Sequence, residues 1–252
     1  MSPQQTQVDN LMHLLGKTAV ETTLLNARVV RYGDPTSSPG VNQTVLVVLA
    51  GRTVCFHKPF SGVDPTVAGY YDQSIHTPPI HECAAWVLAR ELGGPYSRLV
   101  PASVLRALPD SAPEAGSLTI QQPGNFDAHG DALSNQADAW AAAFFDCLIA
   151  QQDRHEGNYK WEAGQAKLGL FDHGFAFASP GHFFNRSYFL EQRRAAGDDS
   201  LTAGELVALR QIAANPLLFG LSGVLEPTRG AALLDRVSRM LGTGRLLSQG
   251  TF

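Results

Sequence analysis

The spacing of apolar and polar residues differs between the two halves of the chain. In the first half, apolar and β-branched residues recur in short runs that turn residues separate, which is typical of β-strands. Such runs occur at 23–33, 42–51, 52–60, 103–108 and 117–122. Gly51 and Arg52 lie between two of these runs and favour a tight hairpin there. We therefore predict an antiparallel β-meander in the first third of the chain, followed by two further short strands.

Helical spacing appears in a short segment at 8–16 and then clearly at 79–94. The second segment has prolines at its start and two glycines at its end, which are the start and stop signals of a helix. Residues 136–152 are apolar on nearly every side, which predicts a helix in the core of the second half. The remaining predicted elements are a short buried strand at 167–172 and helices at about 202–214 and 227–241.

The polar stretch 123–135 separates the sheet-rich part from the helical part and is our candidate boundary between two lobes. We predict one α+β domain over residues 1–252, with a small β-rich N-terminal lobe at about 20–122 and a helical C-terminal lobe at about 136–252. Ligands commonly bind in a cleft between two lobes. The charged stretch 191–199 is predicted to be a solvated loop or the end of a helix.

Composition narrows the class of protein. The 252 residues are 44% hydrophobic, which indicates a folded globular chain with a sizeable core. A net charge of −4 indicates no broad basic surface, so we predict that nucleic acid is not a partner. No apolar run approaches the ~20 residues of a membrane helix, and the N-terminal residues lack the pattern of a secretory signal, so no membrane partner is predicted.

The three cysteines are widely spaced and odd in number. This pattern is that of buried free thiols in a reducing compartment, so we predict a cytoplasmic protein. The sequence leaves the oligomeric state open.

The candidate chemistry lies just after the first long helix of the second lobe. Asp153 and Asn158 are five positions apart on a predicted loop, and Asp172 ends the short strand that follows. A helix–loop–strand turn of this length can bring the three polar groups together. Carboxylate and amide oxygens are the hard ligands that Mg²⁺ prefers. A further carboxylate near the metal can orient and deprotonate an attacking hydroxyl.

Residues of the first half add a candidate phosphate site. Lys58 ends a strand that should be buried, and a lysine there needs an anionic partner. Glu82, in the first turn of the next predicted helix, is one candidate partner, and a phosphate is the other. The turn at 37–44 could present backbone N–H groups and hydroxyls to phosphate oxygens. Its polar side chains include Ser37, Ser38, Asn42 and Thr44.

Purely structural roles would also suit these residues. The segment 151–177 could be a polar turn between a helix and a strand, Lys58 could extend its ammonium group to water, and Glu82 could serve the helix N-terminus. A hydrolytic zinc or iron site could instead use His155, Glu156, Asp172 and His173. The sequence has no H-x-x-x-H pair and no close cysteine pair to support such a site. The histidines interpreted as ordinary surface or cleft residues are His57, His76 and His81.

The motif D-R-H-E-G-N at 153–158, followed by L-F-D-H-G at 170–174, resembles the D-R-H-x-x-N and D-x-G signatures of the atypical kinases. That group includes the phosphatidylinositol 3-/4-kinase-like proteins and the bacterial HipA-like kinases. The segment at 40–59 is also similar to the phosphate loop, strand, turn and lysine strand of HipA-like kinases. The helix at 79–93 is similar to the helix that follows that lysine strand. The resemblance covers about residues 27–177 and implies a two-lobed, protein-kinase-like fold.

The resemblance also implies roles for single residues. Asp153 would be the catalytic aspartate that orients the acceptor hydroxyl. Asn158 and Asp172 would hold Mg²⁺, or Mn²⁺ in its place. Lys58 would bind the phosphates of ATP and pair with Glu82.

Three further assignments follow from the same resemblance. The strand end at 119–124 would hydrogen-bond adenine, with Gln121 and Gln122 nearest the base. His155 would brace the catalytic loop or contact phosphate. Arg154 would be the structural partner of a nearby acid or carbonyl.

The activity that these roles imply is ATP- and Mg²⁺-dependent transfer of the γ-phosphoryl group to a hydroxyl, with a protein serine or threonine as the predicted acceptor. A small-molecule alcohol is an alternative acceptor, and nucleotidyl transfer is an alternative reaction. A nucleotide-binding pseudokinase scaffold is the non-enzymatic alternative. The sequence has no G-x-G-x-x-G, its metal motif is D-H-G in place of D-F-G, and no A-P-E follows that motif, which together argue against a eukaryotic-type protein kinase.

Overall fold

The computed structural model describes residues 2–35, 43–108, 115–126, 130–181, 186–215 and 217–247. These residues form an α+β fold, as the sequence predicts. The strands are β1 (Val29–Pro35), β2 (Val45–Leu49), β3 (Thr53–Pro59), β4 (Ser103–Ala107), β5 (Ala115–Ile120), β6 (Tyr159–Glu162) and β7 (Lys167–Leu170). The helices are α1 (Pro3–Leu14), α2 (Ala19–Asn26), α3 (Pro65–Tyr70), α4 (Thr77–Leu92), α5 (Tyr96–Leu99), α6 (Gln136–Ile149), α7 (Tyr188–Ala195), α8 (Ala203–Ala213) and α9 (Pro227–Thr243).

The first five strands form one antiparallel sheet in the order β1-β2-β3-β5-β4. The predicted hairpin joins β2 to β3. Gly51 and Arg52 both have positive φ angles, of 84° and 66°, which are the backbone conformations that a tight two-residue turn requires. The hairpin sets the register of β3 against β2 and so fixes where Lys58 lies on the sheet.

The prediction of a strand over 23–33 is wrong in its first part, because α2 continues to Asn26 and β1 begins at Val29. A capping box begins the helix: Thr18 accepts a hydrogen bond from the backbone N–H of Glu21, and the Glu21 carboxylate accepts one from the N–H of Thr18. The buried Glu21 also accepts a hydrogen bond from Trp86 Nε1 at 2.8 Å. Capping and tertiary contacts therefore override the β propensity of this segment.

Helix α4 packs against β4 and β5 and extends as far as the 79–94 pattern predicts. Its residues from Thr77 to Ala89 are all buried, and Gly93 ends the helix with a φ of 64°. Because the helix is enclosed from Thr77 to Ala89, any charged residue in that stretch needs a partner inside the protein. Glu82 is such a residue.

Helix α6 lies in the core of the second half, as predicted, with eleven of its residues buried. The strand at 167–170 is also found, but it pairs with β6, which the hydrophobic pattern does not predict. The segment before α6 also joins this pair through a bridge between Asn125 and Trp161. A side chain at Gly124 would lie 2.6 Å from the carbonyl oxygen of Trp161, so this close approach requires glycine.

The segment 191–199 begins as the end of helix α7, which is one of its two predicted alternatives, but Arg193 within it is not solvated. Arg193 is fully buried because it pairs with Glu205 of α8, at 3.0 Å between Nη2 and Oε2, and donates to the backbone oxygens of Trp140 and Asp198. A buried guanidinium with a complete set of acceptors is consistent with structural use.

Helix α1 begins earlier than the 8–16 pattern predicts, because Ser2 caps it and proline occupies its first position. It packs against both α4 and the 3₁₀ segment Leu218–Gly223, and Asn10 donates a hydrogen bond to the carbonyl of Gly223 at 2.7 Å. The N-terminal helix therefore links the two halves of the molecule.

Two smaller findings concern the cysteines and the membrane. Cys55, Cys83 and Cys147 are all buried and free. None of the helices in the described ranges combines the length and apolarity needed to cross a membrane.

Candidate active site

Lys58 lies at the centre of a cluster of charged residues. Its Nζ atom is 3.1 Å from Oε2 of Glu82 and 2.8 Å from Oδ1 of Asp172. The three residues come from the end of β3, from α4 and from the position two residues after β7. Burial by itself lowers the pKa of Lys58, but the carboxylates of Asp172 and Glu82 outweigh it and raise the pKa. The ammonium group therefore stays charged although only 8% of the residue is exposed.

The sheet fixes the backbone of Lys58 closely. In the pairing of β3 with β5, Gly116 faces Pro59, next to Lys58. A side chain at Gly116 would lie 2.7 Å from Cα of Pro59 and would also collide with the carbonyl oxygen of Lys58. Glycine at this position allows the two strands to approach closely. Lys58 then lies where it can pair with Glu82 of α4.

Glu82 faces the cluster from α4, on which it is fully enclosed. Burial acts to raise its pKa, but Lys58 and then His173 more than compensate, so the pKa of Glu82 is lowered. Nδ1 of His173 is 3.7 Å from Oε1 of Glu82. The other acid of α4, Glu91, pairs instead with Lys17 and Arg90. Glu82 is thus the residue of α4 that meets the lysine, as the resemblance implies.

Asp153 and Asn158 are joined within one loop. The Asn158 side-chain Nδ2 donates to the backbone oxygen of Asp153 at 2.7 Å, and the Asn158 backbone N–H donates to the carbonyl of His155 at 2.9 Å. Because the first of these bonds uses the amide nitrogen, the amide oxygen is the atom that a cation would contact. His155 braces the same loop, since its Nδ1 accepts from the N–H of Gly157 at 3.0 Å.

Arg154 points away from this loop into the core and holds it in place. Its guanidinium pairs with Asp146 of α6 at 3.2 Å and donates to the carbonyl of Asn158 at 2.6 Å and to that of Phe171. Ser187 donates to the same Asp146 carboxylate at 2.7 Å. The prediction that Arg154 is the structural partner of an acid or a carbonyl is confirmed.

Asp172 follows β7 with a φ of 58°, in the left-handed region that aspartate tolerates better than most residues. Its backbone oxygen accepts from Nε2 of Gln151 at 2.9 Å, and the N–H of the preceding Phe171 donates to the carbonyl of Asn158 at 3.2 Å. These bonds hold Asp172 beside the Asp153 loop, so the three predicted polar groups lie in one region.

The two aspartates influence each other electrostatically. Burial raises the pKa of Asp153, His155 opposes the rise, and the negative charge of Asp172 adds to it. Nε2 of His155 is 3.8 Å from the Asp153 carboxylate. Asp153 is therefore a more basic carboxylate than one on an open surface.

The predicted nucleotide-binding residues are only partly brought together. Gln122 is buried between the lobes, where its Nε2 donates to the carbonyl of Leu99 at 3.3 Å and its side chain packs on Gly169. The backbone N–H of Gln121 donates to the carbonyl of Val54. Thr44 lies directly before β2, whereas Ser37, Ser38 and Asn42 fall outside the described residues. The roles of these residues in binding ATP stay predictions.

Several site residues were not anticipated. Tyr71 lies just after α3, and burial together with the negative charge of Asp153 raises the pKa of its phenol group. Phe126 and Phe171 meet edge to face, with ring centroids 6.3 Å apart, and Nζ of Lys160 lies 5.6 Å above the Phe126 ring. Asp146 could have been found, because a carboxylate inside the apolar helix F-F-D-C-L-I must have a buried partner. Tyr71 and Phe126 carry no comparable signal.

The histidines differ from the sequence interpretation. Of the three histidines interpreted as surface or cleft residues, His57 and His81 are fully buried, whereas His76 is half-buried. His173 is also fully buried and faces Glu82. Within the described ranges, no three His, Cys, Asp or Glu side chains converge as a metal centre would require, so the zinc or iron alternative finds no support there.

A cavity of about 600 Å³ lies elsewhere in the molecule. It lies between the N-terminal end of α6, the segment that follows α4, and α8, and its walls include Tyr96, Trp140 and Val207. None of the charged cluster residues lines it. The cavity and the cluster are therefore separate features.

Comparison with known proteins supports the fold. No protein-family model and no curated protein matches this chain. Among solved structures, the structure of hydra Fam20 with sugar aligns over 97% of this chain and 94% of its own, at 14% identity and a TM-score of 0.52. The crystal structure of the golgi casein kinase aligns over 96% of this chain and 78% of its own, at 14% identity and a TM-score of 0.49. The chain has a two-lobed, kinase-like fold, with a β-rich N-terminal lobe and a helical C-terminal lobe, as predicted.

Proposed function

We propose that this chain is an ATP- and Mg²⁺-dependent phosphotransferase that moves the γ-phosphoryl group to a hydroxyl. The observation that carries the proposal is the position of Lys58 Nζ between Glu82 and Asp172, which lie 24 and 114 residues further along the chain. A fold alone does not determine a reaction, so the proposed reaction depends on these residues and their chemistry.

The side chains present fit a magnesium ion. Asp172 offers a carboxylate and Asn158 an amide oxygen, and both are hard ligands of the kind that Mg²⁺ takes together with phosphate oxygens. These two residues would hold the ion, with Mn²⁺ as its substitute. A bound Mg²⁺ would neutralise charge on the phosphates of ATP.

The chain's own residues would then perform three tasks. Lys58 binds phosphate oxygens, and Glu82 keeps its ammonium group charged and oriented. Asp153 accepts the proton of the acceptor hydroxyl and orients it for in-line attack. The raised pKa of Asp153 suits this task, because a more basic carboxylate takes a proton more readily.

The finer parts of the proposal rest on the sequence motifs. D-R-H-E-G-N and D-H-G support membership of the atypical kinases related to HipA-like and phosphatidylinositol 3-/4-kinase-like proteins. We infer from the same relationship that the acceptor is a protein serine or threonine. We infer from the three free cysteines that the protein works in the cytoplasm.

Transfer from ATP labelled at the γ- or the α-phosphate tests the proposal. The purified protein with Mg²⁺ is incubated with each label and with a cell lysate as acceptor. We expect transfer of the γ-label only, and loss of at least about 100-fold in the Asp153→Asn variant, as for removal of a general base. Asp235→Asn is the matched control, because Asp235 is an exposed acid of α9.

Three results would contradict the proposal in different ways. Transfer of the α-label would indicate nucleotidyl transfer. ATP binding without any transfer would indicate a scaffold. Equal transfer by wild type and Asp153→Asn would remove Asp153 from the reaction.

A further inference from the structure

Arg229 is a buried cation of α9 that joins two distant segments of the chain. It lies in the first turn of the helix, and only 5% of the residue is exposed. The positive end of a helix dipole is an unfavourable place for a cation, so helix stability does not explain an arginine there. Its partners do explain it. Nε donates to the carboxylate of Glu226, and the two terminal nitrogens donate to the carbonyl oxygens of Phe177 and Asp72.

Both residues that offer these carbonyls have left-handed backbone conformations. Asp72 has a φ of 52° and Phe177 a φ of 56°. Aspartate tolerates this region, but a bulky aromatic residue seldom adopts it. Such a conformation persists where the surrounding contacts over-determine it. At the fully buried Phe177, the carbonyl accepts from Arg229 at 2.8 Å and the N–H donates to the carbonyl of Ile149 at 2.6 Å.

One side of this link leads back to Asp172, which is only five residues before Phe177. The three successive carbonyls of 175–177 all accept hydrogen bonds from outside the segment. The donors are the Gln152 backbone N–H to Phe175 at 3.3 Å, the Gln73 side chain to Ala176 at 3.1 Å, and Arg229 to Phe177 at 2.8 Å. The path of the chain after the proposed metal ligand is therefore fixed from several directions.

The other side of the link contacts the residue before Asp153. That residue, Gln152, donates through its side chain to the carbonyl of Tyr71 at 3.4 Å. The Tyr71 ring stacks on Phe175, with centroids 4.3 Å apart and planes inclined by 25°. The segment 71–73 is thus tied to both loops of the proposed site.

We propose that Arg229 is a positioning residue for the proposed phosphoryl transfer. By holding the segments 71–73 and 172–177 together, it sets the carboxylate of Asp172 for Mg²⁺. Its guanidinium is occupied by two carbonyl oxygens and one carboxylate, so it acts through the backbone and not by touching the substrate. The proposal rests on the function proposed above.

Hydrogen exchange of the full chain without nucleotide tests the link itself. We expect peptides that cover 71–73 and 172–177 to exchange about 10-fold faster or more in Arg229→Gln, as the loss of hydrogen bonds to a charged group predicts. Arg193→Gln is the matched control, because Arg193 is also a fully buried arginine but pairs with Glu205 of α8. It should leave the exchange of both segments as in the wild type.

The Mg²⁺ requirement of transfer tests the role in the reaction. The rate of transfer from γ-labelled ATP to a lysate is measured over a range of free Mg²⁺, at a temperature at which circular dichroism shows each variant folded. We expect Arg229→Gln to raise the Mg²⁺ concentration for half-maximal transfer by about 10-fold or more, as for other residues that support a metal ligand. A merely structural role would lower the folded fraction and leave this concentration unchanged, as we expect for Arg193→Gln.

A more conservative variant covers the case in which Arg229→Gln does not fold. Arg229→Lys keeps the positive charge, but its single nitrogen lacks the fork that binds two carbonyls at once. We expect the same changes in exchange and in Mg²⁺ requirement as for Arg229→Gln.

Failure of this inference can be told apart from failure of the proposed function. A Mg²⁺ requirement like that of the wild type in the Arg229 variants overturns the inference and leaves the function. An equal rise in Arg193→Gln also overturns it, because the effect would then be one of general stability. Unchanged exchange of 71–73 and 172–177 overturns it as well. The absence of any transfer by the wild type overturns the function and, with it, this role of Arg229.

Discussion

Lys58 is a buried cation whose charge depends on two acids from distant parts of the chain. Removing one partner of a buried ion pair costs much more than removing an exposed one, because the remaining charge stays in a poorly solvated place. Glu82 is the more enclosed of the two acids and also faces His173. The cluster therefore supports the stability of the fold as well as the proposed chemistry.

Glu82→Gln should lower the free energy of unfolding by about 3 kcal/mol, since Lys58 loses one of its two counter-charges in a buried setting. Urea denaturation measures the change. Glu91→Gln, on the same helix, affects a partly exposed acid and should cost less than about 1 kcal/mol. A smaller loss for Glu82→Gln than for Glu91→Gln would show that the Lys58–Glu82 pair does not stabilise the protein.

Asp172→Asn tests the proposed metal ligand without disturbing the backbone, because asparagine also adopts the left-handed φ of 58° found here. We expect the gain in ATP affinity that Mg²⁺ produces in the wild type to disappear. Calorimetric titration with ATP, with and without Mg²⁺, measures this gain. The same gain in the variant would exclude Asp172 as a ligand, and Asp235→Asn should behave as wild type.

At the scale of elements, α6, the Asp153 loop and α7 are joined through one carboxylate. Asp146 accepts hydrogen bonds from Arg154 and from Ser187. The backbones of Arg154 and Tyr188 are also bonded to each other, at 2.9 Å from N to O. The loop that carries Asp153 is thus held by a helix on each side.

Asp146→Ala should destabilise the protein by about 3–5 kcal/mol, because it leaves the fully buried Arg154 without its counter-charge. Ser187→Ala should cost about 1 kcal/mol, the typical value of one hydrogen bond. Chemical denaturation of the two variants checks the order. If Ser187→Ala were the more damaging change, the ion pair would not be the main link.

The elements that could be predicted from the sequence are those whose signals are local. The β2–β3 hairpin, α4, α6, α8 and α9 all have strong periodic patterns with turn or capping residues at their ends. The four-residue strand β6 has no such pattern and exists because β7 and Asn125 pair with it. Arg193 similarly has the sequence signature of a surface residue, and only its partner Glu205 accounts for its burial.

At the scale of the whole molecule, the cluster could be predicted because each member has a fixed place on its own element. Lys58 ends a strand, Glu82 lies on a helix and Asp172 follows a strand, and a kinase-like fold brings these three positions together. Tyr71 could not be predicted in the same way. It follows the short helix α3, and its place within electrostatic reach of Asp153 depends only on how that segment packs.

Buried histidines make the stability of the whole molecule depend on pH. Burial lowers the pKa of His81 and of His173 below the ordinary value, so the folded protein keeps both neutral while the unfolded chain binds protons below about pH 6.5. The unfolded state then holds more protons than the native state, and stability falls as the pH falls.

We expect the free energy of unfolding to decrease below about pH 6.5, by up to about 1.4 kcal/mol per pH unit for each of the two histidines. Urea denaturation at a series of pH values measures the slope. His81→Gln should reduce it, whereas His13→Gln, on the exposed face of α1, should not. An unchanged slope in His81→Gln would mean that His81 does not contribute to acid sensitivity.

The sheet has no room for a side chain where Gly116 passes the backbone of Lys58. One added methyl group would wedge β3 and β5 apart and carry the ammonium group out of reach of its acids. A substitution at Gly116 would therefore disrupt the proposed site, although this residue bears no functional group and touches no substrate.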